Sequence, residues 1–301
     1  MFSVLSAVLE PFLLIALGYA LRGTKRFGAK ELWDGVEKLV FWVLFPPLLF
    51  NSVAHAKLTG LDTAEFLLFG TLAMATGDPM TDASVRQTGY RFNSYICFAL
   101  ALNMYGQEAL ALVALLTGIW VPISNAIAVA DLSYAAKTGG KTSVGSIVKS
   151  IFTNPLIVST LAGLFANILS HLTGFQVPNF ITKIFSSLGS ASMATALLAI
   201  GAGLAVEDFA RYKKLIALST IQRLIVLPAV ALAVAVATGL GDTQTAALMC
   251  YAVVPTANSC YIMAARMGGN GPVVSDLTSV EVLVSLATIP MWCMALQAFV
   301  F

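Results

Sequence analysis

The chain has 301 residues, 58% of them hydrophobic and only 11% charged, with a formal net charge of +2. Soluble domains carry about 25% charged residues, so this composition excludes a soluble globular domain and points to an integral membrane protein. At about 20 apolar residues per crossing, the length holds at most about ten spans with short loops.

Other classes are excluded by what the sequence lacks. The basic residues are scattered over loops and form no nucleic-acid footprint. Cys97, Cys250, Cys260 and Cys293 lie in apolar stretches without C-x-x-C spacing and read as packing residues. No Walker A, G-x-G-x-x-G, H-E-x-x-H or G-x-S-x-G pattern is present. Nothing therefore suggests a nucleotide-driven pump or an enzyme, and no cofactor or metal is expected.

The first span is expected from Val4 to Leu21, with Glu10-Pro11 inside it; it lacks a basic n-region and a cleavage site, and so reads as a retained span. A basic loop (Arg22, Lys25, Arg26, Lys30) leads to span two, Val36 to Ala54, disturbed by Pro46-Pro47. The third apolar run is short, Phe66 to Gly77, and twelve helical residues reach only about 18 Å. A polar stretch, Asp78 to Arg91, precedes a fourth segment from Phe92 to Met104. Span five runs from Ala109 to Leu132 and carries Pro122 and Asn125. After a Gly- and Lys-containing linker at 134–146 come spans at Pro155–Leu169, Ile184–Val206, Leu215–Thr238, Ala246–Met267 and Leu277–Val300. Span seven is rich in Gly, Ser and Ala, which permit close helix contact.

Alternating Lys and Arg between the two sides of a ten-span chain places 14 on one side and 2 on the other, with Arg223 left over. Both termini are then expected outside the cytoplasm. The halves also correspond. Glu10-Pro11 with Gly18 matches Asn154-Pro155 with Gly163, Asn93-Ser94 matches Asn258-Ser259, and each half closes with a Pro-containing span. Five spans per half force the halves to be inverted, the mark of a secondary carrier. Pro11 to Asn93 spans 82 residues and Pro155 to Asn258 spans 103, so the first half is 21 residues short, at its third run.

Asn93-Ser94-Tyr95 and Asn258-Ser259, the latter following Pro255, place polar groups inside apolar sequence, where unpaired polar groups are costly. They read as two halves of one binding site, with Pro255 breaking the ninth span and Asn125 lining the same cavity. Their amides, hydroxyls and exposed helix N-termini suit a carboxylate without a basic residue; the bland alternative is that they satisfy freed backbone groups or join helices. Glu10, about two turns into its span, is the candidate for proton coupling. Arg223 and Glu281 are expected near an interface, and Asp131 at a solvated end. His55 and His171 read as surface residues.

The chain resembles the auxin efflux carrier, or PIN-like, family over essentially its whole length. The resemblance rests on Arg91-Phe92-Asn93-Ser94-Tyr95-Ile96, Val121-Pro122-Ile123-Ser124-Asn125-Ala126, Phe152-Thr153-Asn154-Pro155, Pro255-Thr256-Ala257-Asn258 with Gly268-Gly269, and Ser285-Leu286-Ala287-Thr288-Ile289-Pro290. It implies an all-α protein with ten transmembrane helices in two inverted five-helix repeats (1–133 and 147–301). The fourth and ninth helices would be broken and cross at their unwound centres. It also implies transport of organic anions, auxin-like or malonate- and malate-like in bacterial members, across a bacterial inner membrane. Other members carry a Pro where Ala99 or Leu100 falls, so here the first break must come from the polar run.

The expected activity is alternating-access carriage of a small organic anion, with the lipid bilayer as surroundings, a homodimer left open and no nucleic-acid partner. The alternatives are a sodium- or proton-coupled carrier of the bile-acid type, which needs carboxylates where Asn stands here, and a non-transporting binding protein, to which the short third run points.

Overall fold

The computed structural model of the protein describes residues 2–55, 78–136, 152–153, 155–204 and 209–299. The short third run, most of the linker and Asn154 lie outside the described residues. Every regular element among those residues is a helix, and six helices there are long and apolar enough to cross a membrane.

Helix α1 is Phe2–Arg22 and α2 is Lys30–Ala54. Within α2 the turn at Val40–Leu44 widens to a π-helix, immediately before Pro46 and Pro47. A widened turn absorbs the hydrogen bonds that the prolines cannot donate. Next come α3 (Pro79–Tyr90) and the hydrogen-bonded stretch Ser94–Ala135. That stretch is not one rod, because Gly106 has φ 77° and ψ −166°. A straight helix would carry Trp120 about 39 Å from Ser94. Instead the Trp120 indole donates to the Tyr90 carbonyl at 2.8 Å, and Arg86 pairs with Asp131 at 2.6 Å. The chain therefore doubles back at Gly106, giving α4 (94–105) and α5 (107–135).

The second half supplies α6 (Pro155–Thr173), α7 (Asn179–Gly203) and α8 (Phe209–Thr238), the last with its own π-turn at Gln222–Val226 ahead of Pro228. It ends in α9 (Asp242–Val253), α10 (Ser259–Arg266) and α11 (Gly271–Phe299).

Two bodies follow from the packing. In the first, α1, α2, α6 and α7 meet almost backbone to backbone. A Cβ on Gly18 would strike the Leu198 carbonyl, one on Gly201 the Ile15 carbonyl, and one on Gly163 would come within 2.8 Å of the Phe50 carbonyl. The Asn167 amide ties α6 to α2 by donating to the Val53 and Ala54 carbonyls at 3.1 Å each. The second body gathers α3, α4, α5 and α8 to α11. Large apolar side chains such as Leu13, Trp42, Phe165, Phe180 and Val236 stay exposed on the outside. In a membrane such a surface faces lipid, while the interior holds small and polar residues together with large apolar ones such as Phe45, Phe98 and Leu110.

The fourth segment begins earlier than its hydropathy predicts. The polar run Asp78 to Arg91 is mostly buried helix rather than loop. Asp78 caps it, its carboxylate accepting from the Met80 and Thr81 amides and the Thr81 hydroxyl, and these bonds hold the carboxyl below its usual pKa. Inside, Ser84 donates to the Met80 carbonyl and accepts from the Asn270 amide, while Thr88 bonds Ser219. Ser84 and Thr88 enter the interior because each finds a partner. With 12 residues each, α3 and α9 match in length, and the breaks after them differ by two residues, three against five, so most of the 21-residue shortfall falls before α3.

Candidate functional site

Two breaks meet at the centre of the second body. The first, Arg91–Asn93, separates α3 from α4, with Arg91 and Asn93 both extended. The second, Val254–Asn258, separates α9 from α10 around Pro255. The breaks run antiparallel and pair through Phe92 and Thr256. The Asn93 amide donates to the Pro255 carbonyl at 2.8 Å, and the Ala257 amide to the Arg91 carbonyl at 3.3 Å. Each unwound strand thus satisfies part of the other's backbone, which a hydrocarbon interior requires.

Other backbone groups at and beside the breaks are met by buried charge. Arg223, fully buried in the π-turn of α8, donates to the carbonyls of Val254 (2.9 Å), Tyr251 (3.1 Å) and Gly89 (3.4 Å). These carbonyls end α9 and α3, where the helix dipole is negative, so a cation there is stabilising. Glu281 of α11, also fully buried, accepts the Thr256 amide at 2.8 Å. The Thr256 hydroxyl donates to the Thr88 carbonyl at 2.6 Å. Arg223 and Glu281 therefore do not sit at an interface. Both hold the crossing together, and the bonds they make span residues too distant in sequence for spacing to reveal.

A cavity of about 510 Å³ opens beside the crossing. Of the residues singled out from sequence, Asn93, Ser94, Tyr95, Asn125, Asn258 and Ser259 all line it. Pro255 does not; it acts through its carbonyl. Asn93 caps α4, its side-chain oxygen accepting the Ile96 amide at 3.2 Å, while its Nδ2 lies 3.4 Å from Asn258 Oδ1. Asn258 makes no such cap to α10, and it is only partly buried. The N-termini of α4 and α10 thus converge on the cavity.

The sequence reading missed a cation here. Arg91, assigned there to a loop, is 6% exposed and lines the cavity. It donates to Gln87 Oε1 at 2.6 Å and to Ser259 Oγ at 2.9 Å. Its position at the end of a polar stretch disguised it as a flanking charge, although its place two residues before Asn93 was the available signal. Glu37 of α2 lines the same cavity from the first body. Apolar walls come from Phe41, Phe92, Val121, Leu156 and Met263.

Glu10 lies elsewhere. It is exposed and lines a second cavity of about 340 Å³ with Asn51, Asn103, Gln107 and Ser186. Asn103 is ten residues along α4 from Asn93, about 15 Å by helical rise. Asp131 is not a free helix end, since it forms a two-pronged pair with Arg86. His55 and His171 are exposed, as expected.

A family model described as membrane transport protein matches residues 139–293. With apolar helices long enough to cross a bilayer and a crossing of two broken helices, the chain is a multi-pass membrane protein of the transporter class. It belongs to the membrane transport protein family, that of the auxin efflux carriers. No curated protein matches it.

Proposed function

We propose that the chain is a secondary carrier for a small organic anion, a mono- or dicarboxylate, working by alternating access. The observation that carries this reading is the cavity at the crossing. There the Arg91 guanidinium, two helix N-termini and the Asn258 amide face one space with partly apolar walls. A carboxylate would be held by Arg91 and the amides, and its carbon skeleton by Phe41, Val121 and Met263. The expectation of neutral donors alone gives way to one including Arg91.

The two-body packing supports a motion in which the crossing body moves against α1, α2, α6 and α7. The cavity with Glu37 and the one with Glu10 would be the inward and outward approaches. In this reading the described helices belong to two inverted five-helix repeats, residues 1–133 and 147–301. The protein lies in a bacterial inner membrane with both termini outside, the orientation favoured by the basic residues of its loops.

Uptake of malonate, malate and indole-3-acetate into proteoliposomes tests the reading, with Asn258→Ala as the site variant. The expected result is saturable uptake of at least one anion and its loss in the variant. Unchanged uptake in Asn258→Ala would remove the site assignment. Counter-flow separates a carrier from a protein that only binds, and an imposed sodium gradient identifies a sodium-coupled one.

A further inference from the structure

We infer that Glu37 is the carboxylate through which this carrier couples anion binding to uptake of a proton. The inference rests on the anion-carrier reading of the cavity at the crossing and assigns that cavity's regulation.

Three observations place Glu37 in this role. First, Arg91 and Glu37 are the two charged side chains lining the 510 Å³ cavity. They come from different bodies, Arg91 from the crossing and Glu37 from α2. They do not touch, since the ion pair within 4.0 Å among the described residues is Arg86–Asp131. Second, Glu37 is half-buried. Third, it also lines a neighbouring cavity of about 180 Å³, as do Asn258 and Tyr261. That cavity reaches Arg22 and Lys30 at the basic end of the first body, so Glu37 stands between the site and the solution.

The charge balance follows. The empty cavity carries one positive and one negative group, which sum to zero. An anion that engages Arg91 leaves the site net negative in surroundings where like charges repel strongly. Transfer of one proton from solution to a Glu37 carboxylate oxygen restores neutrality for a monocarboxylate and halves the excess charge, from −2 to −1, for a dicarboxylate; release of the anion returns the proton. The other groups facing Glu37 do not replace it. Asp34 lies on its own helix in the smaller cavity, with Lys30 and with Arg22 of α1 as cations beside it. From the crossing, Tyr95 and Tyr261 present phenols, which are neutral near pH 7. From α7 and α11 the smaller cavity receives no ionisable side chain.

The test uses the purified full chain in unbuffered detergent solution with a pH indicator, and malonate, malate and indole-3-acetate as probes. Between about pH 7.5 and 8.5 these probes are almost wholly ionised, so proton uptake reports on the protein. The wild type is expected to take up close to one proton per anion bound, with a Kd that weakens by up to tenfold per pH unit. Glu37→Gln, which mimics the protonated state, is expected to bind without proton uptake and with a pH-independent Kd. Glu37→Asp is expected to keep both the uptake and the pH slope, which a packing role of Glu37 would not predict. Proton uptake that persists in Glu37→Gln, or an unchanged pH slope, overturns the coupling role and leaves the carrier reading standing. Absence of binding to all three probes by the wild type overturns the carrier reading and the coupling role together.

Discussion

Arg91 Nη2 lies 2.9 Å from Ser259 Oγ, joining the two breaks across 168 residues of sequence. The bond fixes a guanidinium at the edge of the cavity, with Gln87 on its other side. A charge-assisted contact to a carboxylate is worth about 1.5 to 3 kcal/mol, or roughly tenfold to a hundredfold in affinity. Arg91→Gln is expected to weaken carboxylate binding by that factor. Arg91→Lys should recover part of it, because the charge remains while the planar fork is lost. Titration of malonate into the purified variants checks this, and equal affinity in all three proteins would show that Arg91 only braces Ser259.

Arg223 makes a different kind of prediction, because it touches backbone rather than cavity. Removing it leaves three buried carbonyls short of a donor and takes the nearest buried cation from Glu281. Breaking a buried charged network of this kind costs about 3 to 5 kcal/mol. Arg223→Met, which keeps an unbranched apolar stem and removes the guanidinium, is expected to lower the unfolding midpoint sharply in detergent. Arg223→Lys should lie between the two, since one ammonium cannot reach all three carbonyls. A midpoint for Arg223→Met equal to that of the wild type would mean that water or movement satisfies those carbonyls.

The difference between Arg91 and Arg223 on one side and Asn93 and Asn258 on the other shows what the sequence made legible. Asn-Ser recurs at matching positions inside apolar stretches, so local contrast alone found both halves of the crossing. The crossing itself, with Asn93 donating to the Pro255 carbonyl, agrees with what the family resemblance implied. Arg223 stands out inside an apolar span, but its partners are too distant in sequence to be read, and Arg91 carries no such contrast. Arg91 closes a polar run, and hydropathy cannot tell a buried, fully bonded polar helix from a loop. The same blindness hid α3, whose Ser84, Gln87 and Thr88 are buried because partners on α8, α10 and the segment ahead of α11 receive them. Charge counting for orientation also takes Arg91 as a loop residue, although without it the split of 14 against 2 becomes 13 against 2 and favours the same side. Glu37 offered no signal either, because only the tertiary packing of α2 brings it to the crossing.

Gly106 tests the reversal between α4 and α5. Its φ of 77° with ψ of −166° belongs to a region that only glycine occupies without strain. Nothing lies within 4 Å of a Cβ built there, so substitution meets no steric partner. Gly106→Ala therefore isolates the backbone cost, about 1 to 3 kcal/mol. Thermal unfolding in detergent should fall accordingly. A stability equal to that of the wild type would argue that residues 94–135 can continue as a straighter helix.

The first body depends on backbone contact between α1 and α7, and Gly201 is its most sensitive point. A Cβ there would overlap the Ile15 carbonyl, and one on Gly18 the Leu198 carbonyl. Because these contacts are with backbone, no side chain can rotate away, and the helices must separate. Overpacking of this kind costs about 1 to 3 kcal/mol, and separation would also loosen the α1 contacts around Arg22, which donates to the Ala202 and Leu204 carbonyls at 3.0 and 2.7 Å. Gly201→Ala is thus expected to destabilise the protein by at least that amount. Gly203→Ala, two residues along the same helix with no atom within 4 Å of its Cβ, should shift stability by less than about 0.5 kcal/mol. The comparison controls for helix propensity, since alanine favours a helix over glycine at either position. Equal unfolding midpoints for the two variants would mean that α1 and α7 do not meet as closely as described, and that the scaffold against which the crossing moves is built otherwise.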